Sequence, residues 1–224
     1  MAPILLSIEG NIGSGKSTLV NNLREIFNNN RTDLNIYFLE EPVERWQTIT
    51  DKDGIDILQN YYADQKKYAF PFQMMAYISR LSLLRKALQG DYDVIITERS
   101  IFTDKMVFAK MLYDSDKIEE IEYKIYNMWF YEFIEDFPQV YIVYVKTMPE
   151  IADERVLSRN RSGETIPLDY LKECHRYHEN WLTEIDSKYI LTLDGNINLD
   201  IDKENTLNVW YSQIKKFIDV SLKN

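Results

Sequence analysis

The chain has 224 residues, 45% of them hydrophobic, which suits one domain over 1–224 with a core large enough to need no staples. Its 36 acidic and 26 basic residues leave a net charge of -10, which excludes general nucleic-acid binding, because that needs a positive field to gather phosphates. There is no apolar run of about 18 residues to span a membrane, and a single cysteine, Cys174, excludes an intrachain disulfide. The start, Met1-Ala2-Pro3-Ile4, enters an apolar run without a charged leader or an Arg/Ser-rich presequence, so the expected compartment is cytoplasmic.

In chain order, Ile4–Ile8 reads as a buried strand and Ser17–Phe27 as a helix with Leu19, Leu23, Ile26 and Phe27 on one face. A second strand covers Ile36–Leu39, and Asp51-Lys52-Asp53-Gly54 reads as a loop. The stretch Phe72–Leu88 repeats apolar residues at helical spacing, and Val94–Thr97 is a third strand. A helix over Ile118–Phe137 precedes a fourth strand, Val140–Val145. Pro167–Ile185 is a helix with its proline in the first turn; Tyr189–Leu193 is a fifth strand and Lys203–Leu222 a closing helix. The strands are apolar throughout rather than alternating, as in strands buried on both faces. Strand–helix alternation predicts an α/β fold: a five-stranded parallel sheet between two helical layers.

Gly10-Asn11-Ile12-Gly13-Ser14-Gly15-Lys16-Ser17 matches G-x-x-x-x-G-K-[ST] between a strand and a helix, the setting of a P-loop. Its glycines let backbone N–H groups wrap a triphosphate at the N-terminus of a helix. Lys16 is placed to reach the β- and γ-phosphates and Ser17 to give an oxygen to Mg²⁺; Thr18 completes the loop. The motif establishes nucleotide binding without naming the acceptor.

Two further groups fall at the ends of strands, the ligand-binding edge of a parallel sheet. They are Glu40-Glu41-Pro42 and Glu98-Arg99-Ser100. A carboxylate there can orient an alcohol and take its proton late in phosphoryl transfer. Either Glu40 or Glu41 satisfies that reading. Glu98 is placed to hold Mg²⁺ directly or through water, and Arg99 to stabilise the transferring phosphoryl or to fix the carboxylate.

Taken in order, the P-loop with Thr18, Glu41-Pro42-Val43, Phe72-Gln73, Glu98-Arg99-Ser100 and the arginines 155, 159 and 161 resemble the deoxynucleoside kinases, the family of deoxycytidine, deoxyguanosine and mitochondrial thymidine kinases. The resemblance runs from about Leu5 to Trp181. It implies a P-loop three-layer fold, ATP and Mg²⁺ as cofactors, Glu41 as general base, and transfer of the γ-phosphoryl of ATP to the 5′-hydroxyl of a deoxynucleoside. It further implies Trp46 as an aromatic wall, Gln73 as the reader of the base edge with Phe72 beside it, and Phe108 packed on the other face of the base. Tyr62 and Glu164 would hold the sugar 3′-hydroxyl. A homodimer is implied too.

Arg155 and Arg159 are four apart on one helix face, and Arg161 follows. Their guanidinium forks suit phosphate. The resemblance makes about 155–164 an arginine-bearing lid, with Arg155 towards the adenine and Arg159 and Arg161 towards the phosphates. Asp194 and Asn196, after the fifth strand, are candidates for the adenine pocket.

Ala76, Arg80 and Asp104 match the family's base pocket. The Arg–Asp pair implies deoxycytidine or a purine deoxynucleoside over thymidine, whose 5-methyl a filled pocket excludes; cytosine against purine stays open. A broad-specificity kinase that also takes thymidine is an alternative. A thymidylate-like monophosphate kinase is another, although Trp46–Tyr77 adds no arginine for an acceptor phosphate. A non-catalytic nucleotide switch would need neither Gln73 nor the Tyr62/Glu164 pair.

Overall fold

The computed structural model describes residues 3–29, 33–135, 137–159, 166–197 and 199–223, with only the backbone over 199–202. β1 (Ile4–Glu9) leads through the P-loop into α1 (Lys16–Asn29), then β2 (Ile36–Leu39). α2 (Val43–Gln47), α3 (Ile57–Ala63) and α4 (Gln65–Ala87) follow before β3 (Val94–Glu98). Next come α5 (Ile101–Thr103), a π-helical stretch Asp104–Ala109, α6 (Lys110–Asp114) and α7 (Glu120–Ile134). β4 (Val140–Lys146), α8 (Pro149–Arg159), α9 (Leu168–Leu182), β5 (Ile190–Asp194) and α10 (Leu199–Ser221) complete the chain.

The five strands form one parallel sheet in the order β2-β3-β1-β4-β5. Alternation along β1 divides the core. Ile4, Leu6 and Ile8 pack with Leu19, Leu23 and Phe27 of α1 and with Trp210, Ile214 and Ile218 of α10. Leu5 joins Ile95 and Ile142 against Leu84, Val107, Met111 and Trp181 on the other face. The expected α/β fold with five parallel strands is therefore present, and both faces are covered because both are apolar.

Boundaries moved where tertiary contacts outweigh local pattern. α4 begins seven residues earlier than expected and carries Pro71 inside it. Its first turn is closed by Asp64, whose side chain accepts from the Lys67 amide. Pro167 is the N-cap of α9 rather than a first-turn residue. Residues 101–114 wind as one helical stretch with a π-helical middle, which apolar periodicity at 3.6 residues does not signal.

Candidate active site

The C-terminal ends of β1, β2 and β3 open onto a cleft of about 1520 Å³, roomy enough for two substrates. One end holds the P-loop. Gly13 has φ +79° and lies so close to α8 that a Cβ would sit 2.3 Å from the Ala152 carbonyl oxygen. Only glycine fits that approach. Asn11 ties the loop to α9, donating to the Leu171 carbonyl at 2.8 Å, and its Oδ1 accepts from the Ile12 amide at 2.8 Å.

Lys16 is buried and donates to the Asn11 carbonyl at 2.6 Å. Burial and the nearby Arg99 lower its pKa to about 7, against the opposing pull of Glu98, Glu41 and Glu9. Ser17 Oγ donates to Glu98 Oε1 at 2.8 Å, bringing a hydroxyl and a carboxylate together beside the loop. Hard oxygen donors of this kind fit Mg²⁺, which takes one or two protein oxygens and completes its shell with phosphates and water. Among the described residues there is no cluster of three or more His, Cys, Asp or Glu able to hold a metal by protein ligands alone.

A second part of the cleft wall is built on Glu41. Its Oε1 accepts from Arg80 Nη2 at 2.8 Å and from Arg99 Nη1 at 3.1 Å; Oε2 lies 3.3 Å from the same Arg99 nitrogen. Burial opposes this carboxylate's charge, but Arg99 and Arg80 outweigh it and hold the pKa at about 2. Glu40 points outward and pairs with Arg24 at 2.6 Å, so only Glu41 joins the arginines.

Arg80 is 2% exposed and uses its whole fork: Nε to Asp104 at 3.0 Å, Nη1 to the Glu98 carbonyl at 2.8 Å, and Nη2 to Glu41. Burial disfavours its charge, but Asp104 and Glu41 raise its pKa above the usual value. Asp104 is shifted up by burial, with Arg80 opposing. Arg99 sits at φ 60°, a conformation that costs a non-glycine residue and marks a backbone held by its surroundings. Its amide donates to the Ile8 carbonyl, and its guanidinium lies 5.4 Å above the Phe108 ring. The π-helical stretch places Asp104 and Phe108 on the same cleft wall.

Trp46, Tyr62, Phe72, Gln73 and Ala76 line the same cleft. Gln73 is 2% exposed, and its amide makes no hydrogen bond among the described residues. On α8, Arg155 and Arg159 reach the cleft. Arg155 donates to the Gly195 and Ile197 carbonyls, each at 2.9 Å.

Asp194 and Asn196 form a turn after β5 that Arg155 of the cleft holds by its Gly195 and Ile197 carbonyls. Asn196 caps the start of α8, accepting from the Met148 amide at 2.8 Å, and Asp194 Oδ1 accepts from the Asn196 amide. That turn meets the site through Arg155. Arg161 and Glu164 lie outside the described residues.

Sequence reasoning missed three groups. Glu9 is fully buried at the end of β1, with Ser7 and Thr103 hydroxyls donating to its two oxygens; a lone acid inside an apolar strand was the available signal. Tyr61 and Tyr170, from α3 and α9, line the cleft with their hydroxyls 2.9 Å apart. No sequence signal pairs residues 109 positions apart.

A P-loop lysine and an arginine-held carboxylate in one cleft define a P-loop phosphotransferase. The comparisons narrow the class: the chain belongs to the deoxynucleoside kinase family, whose family model matches residues 6–219. It is 36% identical over 221 residues to a probable deoxycytidine kinase of Fowlpox virus, covering 95% of this chain and 87% of the relative. Deoxycytidine kinase of Rattus norvegicus is 34% identical over 248 residues, covering 96% and 91%. Mitochondrial deoxyguanosine kinase of Xenopus laevis is 34% identical over 199 residues, covering 80% and 73%.

Proposed function

We propose that the protein transfers the γ-phosphoryl of MgATP to the 5′-hydroxyl of deoxycytidine or a purine deoxynucleoside, in preference to thymidine. The observation that carries this reading is the Glu41 carboxylate, fixed by Arg80 and Arg99 in the cleft that Lys16 also lines. The similarity to deoxycytidine and deoxyguanosine kinases supports the choice of base.

The nucleoside base lies between Phe108 and the Trp46–Phe72 side. The open Gln73 amide offers a donor and an acceptor to its edge. Ala76 leaves space beside the base, and the Arg80–Asp104 pair occupies the volume that a 5-methyl group would need. Tyr62 and Glu164 hold the 3′-hydroxyl. Glu41 accepts a hydrogen bond from the 5′-hydroxyl. A carboxylate with a pKa of about 2 is a weak base, so its first task is to aim an oxygen lone pair at the γ-phosphorus. As that P–O bond forms and the bond to the β–γ bridging oxygen breaks, the hydroxyl proton becomes acidic and passes to Glu41.

Lys16 moves from the Asn11 carbonyl to the β- and γ-phosphates. Arg99 stabilises charge near the acceptor, and Arg155, Arg159 and Arg161 close from a lid over about 155–164. Ser17 and Glu98 would hold Mg²⁺, which would neutralise phosphate charge there. Arg80 and Arg99 are already committed to carboxylates, which favours a neutral acceptor over a monophosphate.

The whole chain acts as one domain, paired with a second copy. Ile121, Ile125, Met128 and Trp129 of α7 are exposed in one helical stripe, beside exposed Ile78 of α4. Analytical ultracentrifugation tests the pairing, with Ile121→Glu/Met128→Glu expected to sediment as a monomer.

The function is tested by assaying MgATP with deoxycytidine, deoxyadenosine, deoxyguanosine, thymidine and their monophosphates. Turnover on nucleosides, weak on thymidine, is expected. Turnover on monophosphates alone refutes the reading, and strong thymidine turnover replaces it with a broad-specificity kinase.

A further inference from the structure

α2, which follows Glu41 directly, has five residues and no side-chain cap at its start, Pro42. A helix this short does not hold itself. What anchors it is Trp46, 5% exposed and driven into the cluster formed with Tyr61, Phe72 and Ala76. Its ring meets Phe72 edge-on, centroids 5.7 Å apart at 81°, and Phe72 stacks on Tyr61 at 4.5 Å. Apolar contact alone leaves a flat indole free to slide or flip. One directional bond sets its orientation: Nε1–H donates to Ser79 Oγ at 2.8 Å.

Ser79 lies on α4, 6% exposed, on the face that carries Phe72 and Ala76, and it is not part of the cleft wall. Its hydroxyl donates in turn to the Ala76 carbonyl at 3.1 Å. A hydroxyl can donate and accept at once, so the relay leaves no buried polar hydrogen unsatisfied. An alanine at this position would strand the indole N–H in an apolar cluster.

We infer that Ser79 is a positioning residue for nucleoside recognition: through the indole N–H of Trp46 it fixes the wall against which the nucleoside binds. The inference rests on the proposed nucleoside kinase reading. Ser79 acts through the Trp46 indole that its hydroxyl holds.

The test is a double-mutant cycle on the full chain with Ser79→Ala, Trp46→Phe and both together, Phe having no N–H. Steady-state constants for deoxycytidine and ATP are measured for all four proteins. The indole N–H signal of Trp46, identified by its loss in Trp46→Phe, is followed by ¹⁵N NMR hydrogen exchange.

Ser79→Ala is expected to raise the KM for deoxycytidine about fivefold or more, a loss on the scale of one buried hydrogen bond. The KM for ATP and kcat are expected to stay within about twofold, as for lost uniform binding. The Trp46 indole hydrogen exchanges faster, and Ser79→Ala adds less than about a twofold effect in the Trp46→Phe protein.

An equal effect of Ser79→Ala in both backgrounds overturns the inference, as does an equal rise in both KM values or unaltered indole exchange. If the unsubstituted protein turns over no nucleoside, the functional reading falls and takes this inference with it. Nucleoside turnover that Ser79→Ala leaves unchanged defeats this inference alone.

Discussion

Lys16 gives the most direct quantitative test of the nucleotide site. Buried, close to Arg99 and bonded to a neutral carbonyl, it has a pKa lowered to about 7. It is therefore charged below that pH and neutral above it. A triphosphate placed against Lys16 favours the ammonium form and draws a proton from solvent. With its pKa lowered to about 7, a growing share of Lys16 is neutral as pH rises through 7 to 8. ATP binding should then take up protons, more at pH 8 than at pH 6, and affinity should fall as pH rises above about 7.

A terminal phosphate with a second pKa of about 6 is fully ionised at pH 8, so the proton must come to the protein. Calorimetric titration with MgATP in two buffers of different ionisation enthalpy measures the uptake. Zero uptake at pH 8, with saturable binding, would falsify the argument that burial has neutralised Lys16.

Glu41→Gln should lower kcat by about 10²–10⁴, the range for loss of a positioned proton acceptor. In the unsubstituted enzyme the arginines keep Glu41 ionised down to about pH 2. The stability this carboxylate contributes is fully present above its unfolded value of about 4.5 and is lost progressively as pH falls from there through about 2. A kcat/KM profile should therefore show no acidic limb from Glu41 above pH 4, and one that requires Glu41 would contradict the assignment. Arg80→Met strands buried Asp104 and should cost about 3–5 kcal/mol in urea denaturation, the scale for breaking a buried pair. The same variant should raise thymidine turnover relative to deoxycytidine, and an unchanged ratio would remove Arg80 from base selection. Gly13→Ala needs a Cβ 2.3 Å from the Ala152 oxygen at φ +79°, so calorimetry should show ATP binding lost while the chain remains folded.

The sequence by itself determined the strands, the parallel α/β class and the P-loop. Those depend on local pattern: continuous apolar runs for strands buried on both faces, and a glycine–lysine spacing set by the geometry of one turn around phosphate. The ordered motifs also pointed to the family that the comparisons show.

Only the tertiary structure separated Glu40 from Glu41 by their partners. Both follow β2, and one finds Arg24 on the surface while the other finds Arg80 and Arg99 in the cleft. It also joined the turn of Asp194 and Asn196 to Arg155, a matter of where the chain goes after β5. The π-helical stretch that brings Asp104 and Phe108 together departs from the period on which sequence reading relies. The Trp46–Ser79 bond and the Tyr61–Tyr170 contact join residues 33 and 109 positions apart. Such pairings depend on how separate elements pack, and a local pattern holds no record of its partner across the fold.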